Sequence, residues 1–156
     1  MDKENIAKAV GKDLPISTKL SVEICNFIRH KELRKAKYLL QEIIDEKKAL
    51  PMKRFNMDLG HKPGNIAGGS YPKKATKYFL DLMDALEKNA ENKGLNTESL
   101  KINFAAANKG PKQWHYGRKR RRVAKRTHIE LRVIESEKRP EKIKKNAEDK
   151  KWLKGK

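Results

Sequence analysis

No run of 18 apolar residues occurs anywhere in the sequence, so no segment has the length to cross a bilayer as a helix. Nor does a charged-then-apolar start mark a secretory leader. Cysteine is almost absent. Cys25 stands alone, which excludes an intrachain disulfide and a cysteine zinc cluster and suits a reducing, intracellular compartment. A lone cysteine at a helical position reads as a small core hydrophobe rather than a nucleophile. His30, His61, His115 and His128 are widely spaced and match no metal-ligand signature. Acidic residues number 20 against 39 Lys and Arg, and they fall mainly on helix faces or near the C-terminus. A nuclease would need clustered carboxylates to hold metal. The glycine-rich run GNIAGG lacks the following Lys-Ser/Thr pair of a phosphate-binding loop. These absences argue against an enzyme: no catalytic residue, cofactor or metal is expected.

What is present is positive charge. A formal net charge of +19 and a pI near 10.0 make the chain repel itself and call for a polyanion. Nucleic acid is the default partner, because its condensed counterions are released when basic side chains bind, and a membrane surface is the weaker alternative.

The apolar residues repeat with two different periods. Ile6, Lys8 and Val10 alternate with Ala7 and Ala9, which fits an edge strand. Ser17 is placed to cap a helix over 18–29 with Leu20, Ile24, Phe27 and Ile28 on one stripe. A second helix over 32–46 carries Leu33, Ala36, Leu40 and Ile43, widened by Leu39 and Ile44. Helical periodicity then vanishes from Ala49 to Tyr71, a Gly- and Pro-rich loop carrying Lys53, Arg54, His61 and Lys62 with Asp58 its only acid. Loops this long inside a compact domain are usually functional. Pro72 suits the first turn of a third helix that holds Ala75, Phe79, Leu82, Met83, Leu86 and Ala90 in phase until Gly94, a natural C′ residue. The period changes to two through Leu100, Ile102, Phe104 and Ala106, and again through Ile129, Leu131 and Val133. The expected fold class is α+β: three helices packed on a small antiparallel β-sheet, with a long basic β-hairpin extension. The expected organisation is a globular domain over 1–136, an arm protruding at 107–127, and a basic charged tail over 137–156 that orders only on a partner.

The excursion between the two strands includes GRKRRRVAKR at 117–126, seven positive charges in ten positions with no acid. As a strand it would present Arg118, Arg120, Arg122 and Arg126 on one side and Lys119, Arg121, Val123 and Lys125 on the other. Neither side is apolar, so it cannot pack on the protein's own core, and it suits phosphates on both flanks. Trp114, His115 and Tyr116 sit beside the turn at Gly117. They either stack on bases or pack on each other. A nuclear-localisation-like tag is the competing reading of the run, and with it an RNA- or DNA-binding accessory protein. Its position between two matched strands favours an arm.

The order of elements resembles the universal family of large-subunit ribosomal protein number twenty-two. The likeness is carried by LPIS with Thr18 and Lys19, by ALPMKRFN, LGHKPG and GGSYPKKATKYFLDLMDALEKNAENKGL, and by KGP at 109–111 and KRTHIELRV at 125–133. It covers about residues 5–136, and the extended loop before YPKKA is similar to the archaeal and eukaryotic branch. The resemblance implies a cytoplasmic, structural component of the large subunit. Its body would bind rRNA beside neighbouring ribosomal proteins, and its hairpin would line the tunnel taken by the nascent polypeptide. Carried onto this chain, Thr18, Lys19, Lys53, Arg54, His61, Lys62, Lys73 and Lys74 would touch rRNA from the body. Lys109, Lys112, Trp114, His115, Tyr116, Arg118 to Arg122, Lys125 and Arg126 would do so from the arm. The excursion is several residues shorter than the family's hairpin, with Gly117-Arg118 the nearest remnant of its tip, and no family pattern extends past Ser136.

Overall fold

The computed structural model describes residues 5–136. The expected tail over 137–156 lies outside the described residues. The elements run β1 (Ile6–Leu14), α1 (Thr18–Ile28), α2 (Leu33–Ile44), β2 (Leu50–Pro51), β3 (Gly69–Ser70), α3 (Lys73–Glu91), β4 (Leu100–Lys109) and β5 (Thr127–Glu135). The α+β arrangement and the three helices agree with the periodicities. β1, β5 and β4 form an antiparallel sheet in that order, so β1 is an edge strand as expected, and β5 occupies the centre.

Opposed residues of an antiparallel pair share a face, and the register gathers one face from small and branched side chains. Ala7 opposes Val133, Ala9 opposes Leu131 and Gly11 opposes Ile129. Ile102, Ala105 and Ala107 oppose the same three β5 residues from the other side. The helices cover this face. α3 lies against β1 and β5, α1 against β4, and α2 against α3. The small residues of β1 let α3 approach closely: a Cβ on Gly11 would stand 2.9 Å from Leu14 Cδ1 and 3.0 Å from Leu82 Cδ1. Ile24, Ile28, Leu40, Ile43, Phe79, Met83 and Leu86 complete the core. Cys25 is buried among them, and burial pushes its thiol up to about 12, which leaves it protonated and inert.

The outer face of the sheet is charged. Glu130 receives Lys8 Nζ at 3.1 Å and Arg132 Nη2 at 2.7 Å, and the Arg132 guanidinium sits 4.8 Å from the centre of the Phe104 ring. Phe104 was expected to face the core together with Ala106. A β-bulge overturns that phase. Ile102 pairs with Val133 and Phe104 with Arg132, which leaves Asn103 as the extra residue. The extra residue reverses the alternation, so Ala105 is buried and Phe104 turns out to Arg132.

Two helix starts also differ in detail. Ser17 occupies the N-cap position of α1 but makes no side-chain cap bond; Ser21 Oγ donates instead to its carbonyl at 2.9 Å. Pro72 stands at the N-cap of α3, one position before the first turn, and its carbonyl accepts Thr76 Oγ1 at 3.0 Å. Gly94 fulfils its expected role. With φ at +71° it closes a Schellman motif, Leu95 N–H donating to the Ala90 carbonyl at 3.0 Å and Gly94 N–H to that of Glu91 at 2.8 Å. The loop from Ala49 to Tyr71 is tied at its neck by the two-residue ladder of β2 and β3, Leu50 against Ser70 and Pro51 against Gly69. A ladder that short has no periodicity to betray it.

Candidate nucleic-acid interface

The arm begins where β4 and β5 stop pairing. Gly110 N–H donates to the Arg126 carbonyl at 3.0 Å, Ala124 N–H to that of Gln113 at 2.8 Å, and His115 N–H to that of Arg122 at 2.9 Å. Between them lies one β-bridge, Trp114 to Val123. The tip is a 3-10 turn over Gly117–Lys119, entered through Gly117 at φ +64°. The limbs are therefore held together by scattered backbone bonds rather than by continuous strands. The absence of an apolar face explains why: a ladder stabilised by no cross-strand packing keeps only its anchor points.

Residues 111–123 are all exposed. Lys109, Lys112, the run Arg118, Lys119, Arg120, Arg121, Arg122, and Lys125 point positive charge outward, with no acid between Gly110 and Arg126. Trp114 is 68% exposed and Tyr116 93%. Arg126 differs from its neighbours. It is half-buried and donates to the Asp13 carbonyl at 3.2 Å and to Gln113 Oε1 at 3.4 Å, so it buttresses the base of the arm. His128 adds to that joint by accepting the Asp13 N–H on Nδ1 at 3.1 Å.

The body brings part of the expected basic set toward the arm. Lys73, Lys74 and Lys125 line one open cleft of about 600 Å³ with Pro15, Ser17 and Tyr71, beside the start of α1. An adjoining cleft carries Lys19 and Phe55. Lys73 is engaged by Glu46 at 2.8 Å. Thr18 is turned inward, its hydroxyl 2.9 Å from that of the buried Thr127, which in turn donates to the Ile16 carbonyl. Lys19 Nζ and the Arg54 guanidinium lie 5.7 Å and 5.4 Å from the centre of the Phe55 ring, and Lys62 Nζ lies 5.7 Å from that of Tyr71. His61 bridges to Gly68 across the loop. Lys53 lines a different cleft, with Lys31, Asn26 and Phe27.

Sequence reasoning passed over the residue that orders this loop. Glu23 is 1% exposed, and its Oε1 accepts the backbone N–H of Arg54 at 2.6 Å and of Phe55 at 2.8 Å. A carboxylate on the inward side of an amphipathic helix was the available signal, because buried charge needs partners. Phe55 and Tyr71, the rings under the cations, were likewise missed. Among the described residues no group of three or more His, Cys, Asp or Glu is placed to hold a metal, and no helix is long and apolar enough to cross a membrane.

The family described as Ribosomal protein L22p/L17e matches residues 9–134. The chain belongs to that family. The match runs from within β1 to within β5 and so takes in all three helices and the arm. Among similar proteins is the large ribosomal subunit protein uL22 of Methanoregula boonei, 39% identical over 140 residues, 85% of this chain and 91% of the relative. That of Nanoarchaeum equitans is 42% identical over 142 residues, 85% and 80% of the two chains. That of Archaeoglobus fulgidus is 44% identical over 111 residues, 70% and 72%. As an L22p/L17e family member the chain is a structural, non-enzymatic large-subunit ribosomal protein of the cytoplasm.

Proposed function

We propose that the protein binds large-subunit rRNA, supports subunit assembly beside neighbouring ribosomal proteins, and lines the nascent-polypeptide exit tunnel with the arm over 107–127. The observation that carries this is the arm itself: eight exposed Lys and Arg from Lys109 to Lys125, no acid, and no side chain given to the core over 111–123. Such a segment is stabilised only by an anionic surrounding. Lys109, Lys112, Arg118, Lys119, Arg120, Arg121, Arg122 and Lys125 neutralise phosphates. Trp114, His115 and Tyr116 offer flat faces to unpaired bases, and Arg126 sets the angle at which the arm leaves the body. From the body, Lys19, Lys53, Arg54, His61, Lys62, Lys73 and Lys74 extend the contact, and Thr18 holds the junction with Thr127.

Deleting 112–124 tests this reading. The remaining domain is expected to unfold cooperatively, because no buried residue is removed. The salt dependence of rRNA binding should fall by up to about 5 in logarithmic slope, since six basic residues go and each phosphate neutralised contributes roughly 0.7 to 0.9. An unchanged slope would show that the arm is not the phosphate contact. Sedimentation of extract in moderate salt checks the setting: the protein should travel with the large subunit in near-stoichiometric amount, and a mostly free or chromatin-bound pool would refute it.

A further inference from the structure

The arm leaves the sheet beside a β-bulge in β1. Gly11 pairs with Ile129 and Leu14 with Thr127, so Lys12 and Asp13 together stand against the single residue His128. Asp13 takes the left-handed conformation, φ +54°, which Asp tolerates better than most residues. It has no partner in the ladder, and two side chains hold its backbone instead. Its N–H donates to His128 Nδ1 at 3.1 Å, and its carbonyl accepts Arg126 Nη1 at 3.2 Å.

Both limbs of the arm are tied to that carbonyl. Through Nη2 the same guanidinium donates to Gln113 Oε1 at 3.4 Å, so Arg126 on the returning limb also holds the outgoing one. The carbonyl keeps its place only while the Asp13 backbone does, and the grip on that backbone from within β5 is the His128 imidazole. The ring is itself confined. A Cβ on Gly110 would stand 3.0 Å from Nε2 and 3.3 Å from Cε1, so the outgoing limb passes close against its far edge. To accept at Nδ1, the ring carries its proton on Nε2. His128 enters no ion pair among the described residues. Beside the joint, an open cleft of about 570 Å³ has Asp13 and Pro15 on the body and His115, Val123 and Arg126 on the arm.

We propose that His128 is a positioning residue for the arm: by accepting the Asp13 N–H on Nδ1 it fixes the carbonyl that Arg126 grips, and so holds the arm at the angle from which its cations meet RNA. This rests on the rRNA-binding reading and adds to it a device that lies outside the basic residues. The device acts by preorganisation, because a joint left loose must be ordered again on binding.

The test uses the full chain, a large-subunit rRNA transcript as probe, and two substitutions of equal shape. His128→Asn keeps an acceptor where Nδ1 stands, and His128→Leu puts a methyl group there. His128→Leu is expected to bind about 5- to 20-fold more weakly than the wild type, roughly the entropy of fixing one residue's backbone, and His128→Asn within about threefold of it. The logarithmic salt slope should stay within about 0.5 of wild type in both, because no phosphate contact is removed. In the chain lacking 112–124, His128→Leu should change the affinity by less than about twofold. His128→Gln, polar but with its oxygen out of line with Nδ1, should weaken binding as His128→Leu does, and it replaces that variant if the latter melts low. The free protein gives a direct readout. Cys25 is buried and protonated, so spin labels attach at the exposed positions of Asn92→Cys and Lys112→Cys. Their distance distribution should widen in His128→Leu and stay as narrow as wild type in His128→Asn. Wild-type affinity or an unwidened distribution in His128→Leu would overturn the proposal, and so would equal weakening in the Asn and Leu variants. Weakening that persists without the arm would also overturn it, because the residue would then serve the body alone. If deleting 112–124 weakens binding while His128→Leu does not, the positioning role fails and the rRNA-binding reading stands. If that deletion leaves affinity and slope unchanged, both fall.

Discussion

Replacing Glu23 by alanine removes the acceptor that ties the 53–55 segment to α1. Two backbone N–H groups, on Arg54 and Phe55, lose a carboxylate at 2.6 Å and 2.8 Å. Hydrogen bonds to a charged group contribute about 1.5 to 3 kcal/mol each, so the gross loss is about 3 to 6 kcal/mol, and the missing methylene adds about 0.8 kcal/mol. Against this stands the desolvation of a nearly fully buried carboxylate, several kcal/mol that the variant no longer suffers. Water also reaches the exposed Arg54. The net expectation is a destabilisation of about 2 kcal/mol, a large fraction of an ordinary domain's stability. With a urea m-value of about 2 kcal/mol/M, the midpoint should fall by about 1 M with m unchanged. Glu23→Gln keeps an acceptor of the same shape and should lose about half as much, because neutral hydrogen bonds are roughly half as strong. Amide hydrogen exchange locates the effect: Arg54 and Phe55 should lose protection in the alanine variant before the sheet does. A midpoint within about 0.25 M of wild type, with both amides still protected, would refute the role given to Glu23.

Other consequences are equally direct. Phe79→Ala should lose about 3 to 5 kcal/mol because the ring is fully buried, whereas Phe104→Ala, at 38% exposure, should lose no more than about 1 kcal/mol; equal losses in thermal unfolding would contradict the bulge at Asn103. Gly11→Val should destabilise by at least about 1 to 3 kcal/mol in urea titration, since its Cβ meets Leu14 and Leu82 at 3.0 Å or less. Hydrogen bonds from Arg132 and Lys8 hold the Glu130 carboxyl below its usual 4.5. Its contribution is therefore full above that value and is lost as the pH falls through the lower folded-state pKa. Glu130→Gln should flatten the acid limb of the urea midpoint between pH 6 and 3, and an unchanged limb would show that the pair is idle.

The helices were legible because their apolar residues repeat in one frame: Ile24 with Ile28, Leu40 with Ile43, and Phe79 with Met83 and Leu86 need no knowledge of their partners. β5 was legible for the same reason at period two. β4 was legible only to Ile102. The residues after the bulge are Phe104, Ala105 and Ala106, and nothing in such a run says that the frame slips by one. The arm announced itself by charge alone, but its limbs are more irregular than alternation suggested. Glu23 was illegible for a different cause: its role depends on bringing together segments that no local pattern connects, α1 and a loop 31 and 32 residues away.

The position of β5 bears on the order of synthesis. It is the last described strand to be made and yet the one to which both β1 and β4 must pair. Until residues 127–135 emerge, β1 has waited through more than a hundred residues with no strand beside it, and the sheet has no middle. Closure is thus non-local and late, which slows folding and leaves two strand edges open in the growing chain. The cationic arm, by contrast, is already out when β5 appears, so under the proposed function RNA would hold the two limbs together at the moment the sheet closes. Shortening the chain from its C-terminal side into β5 would cost both neighbouring strands at once. The strand that comes last keeps the first in place.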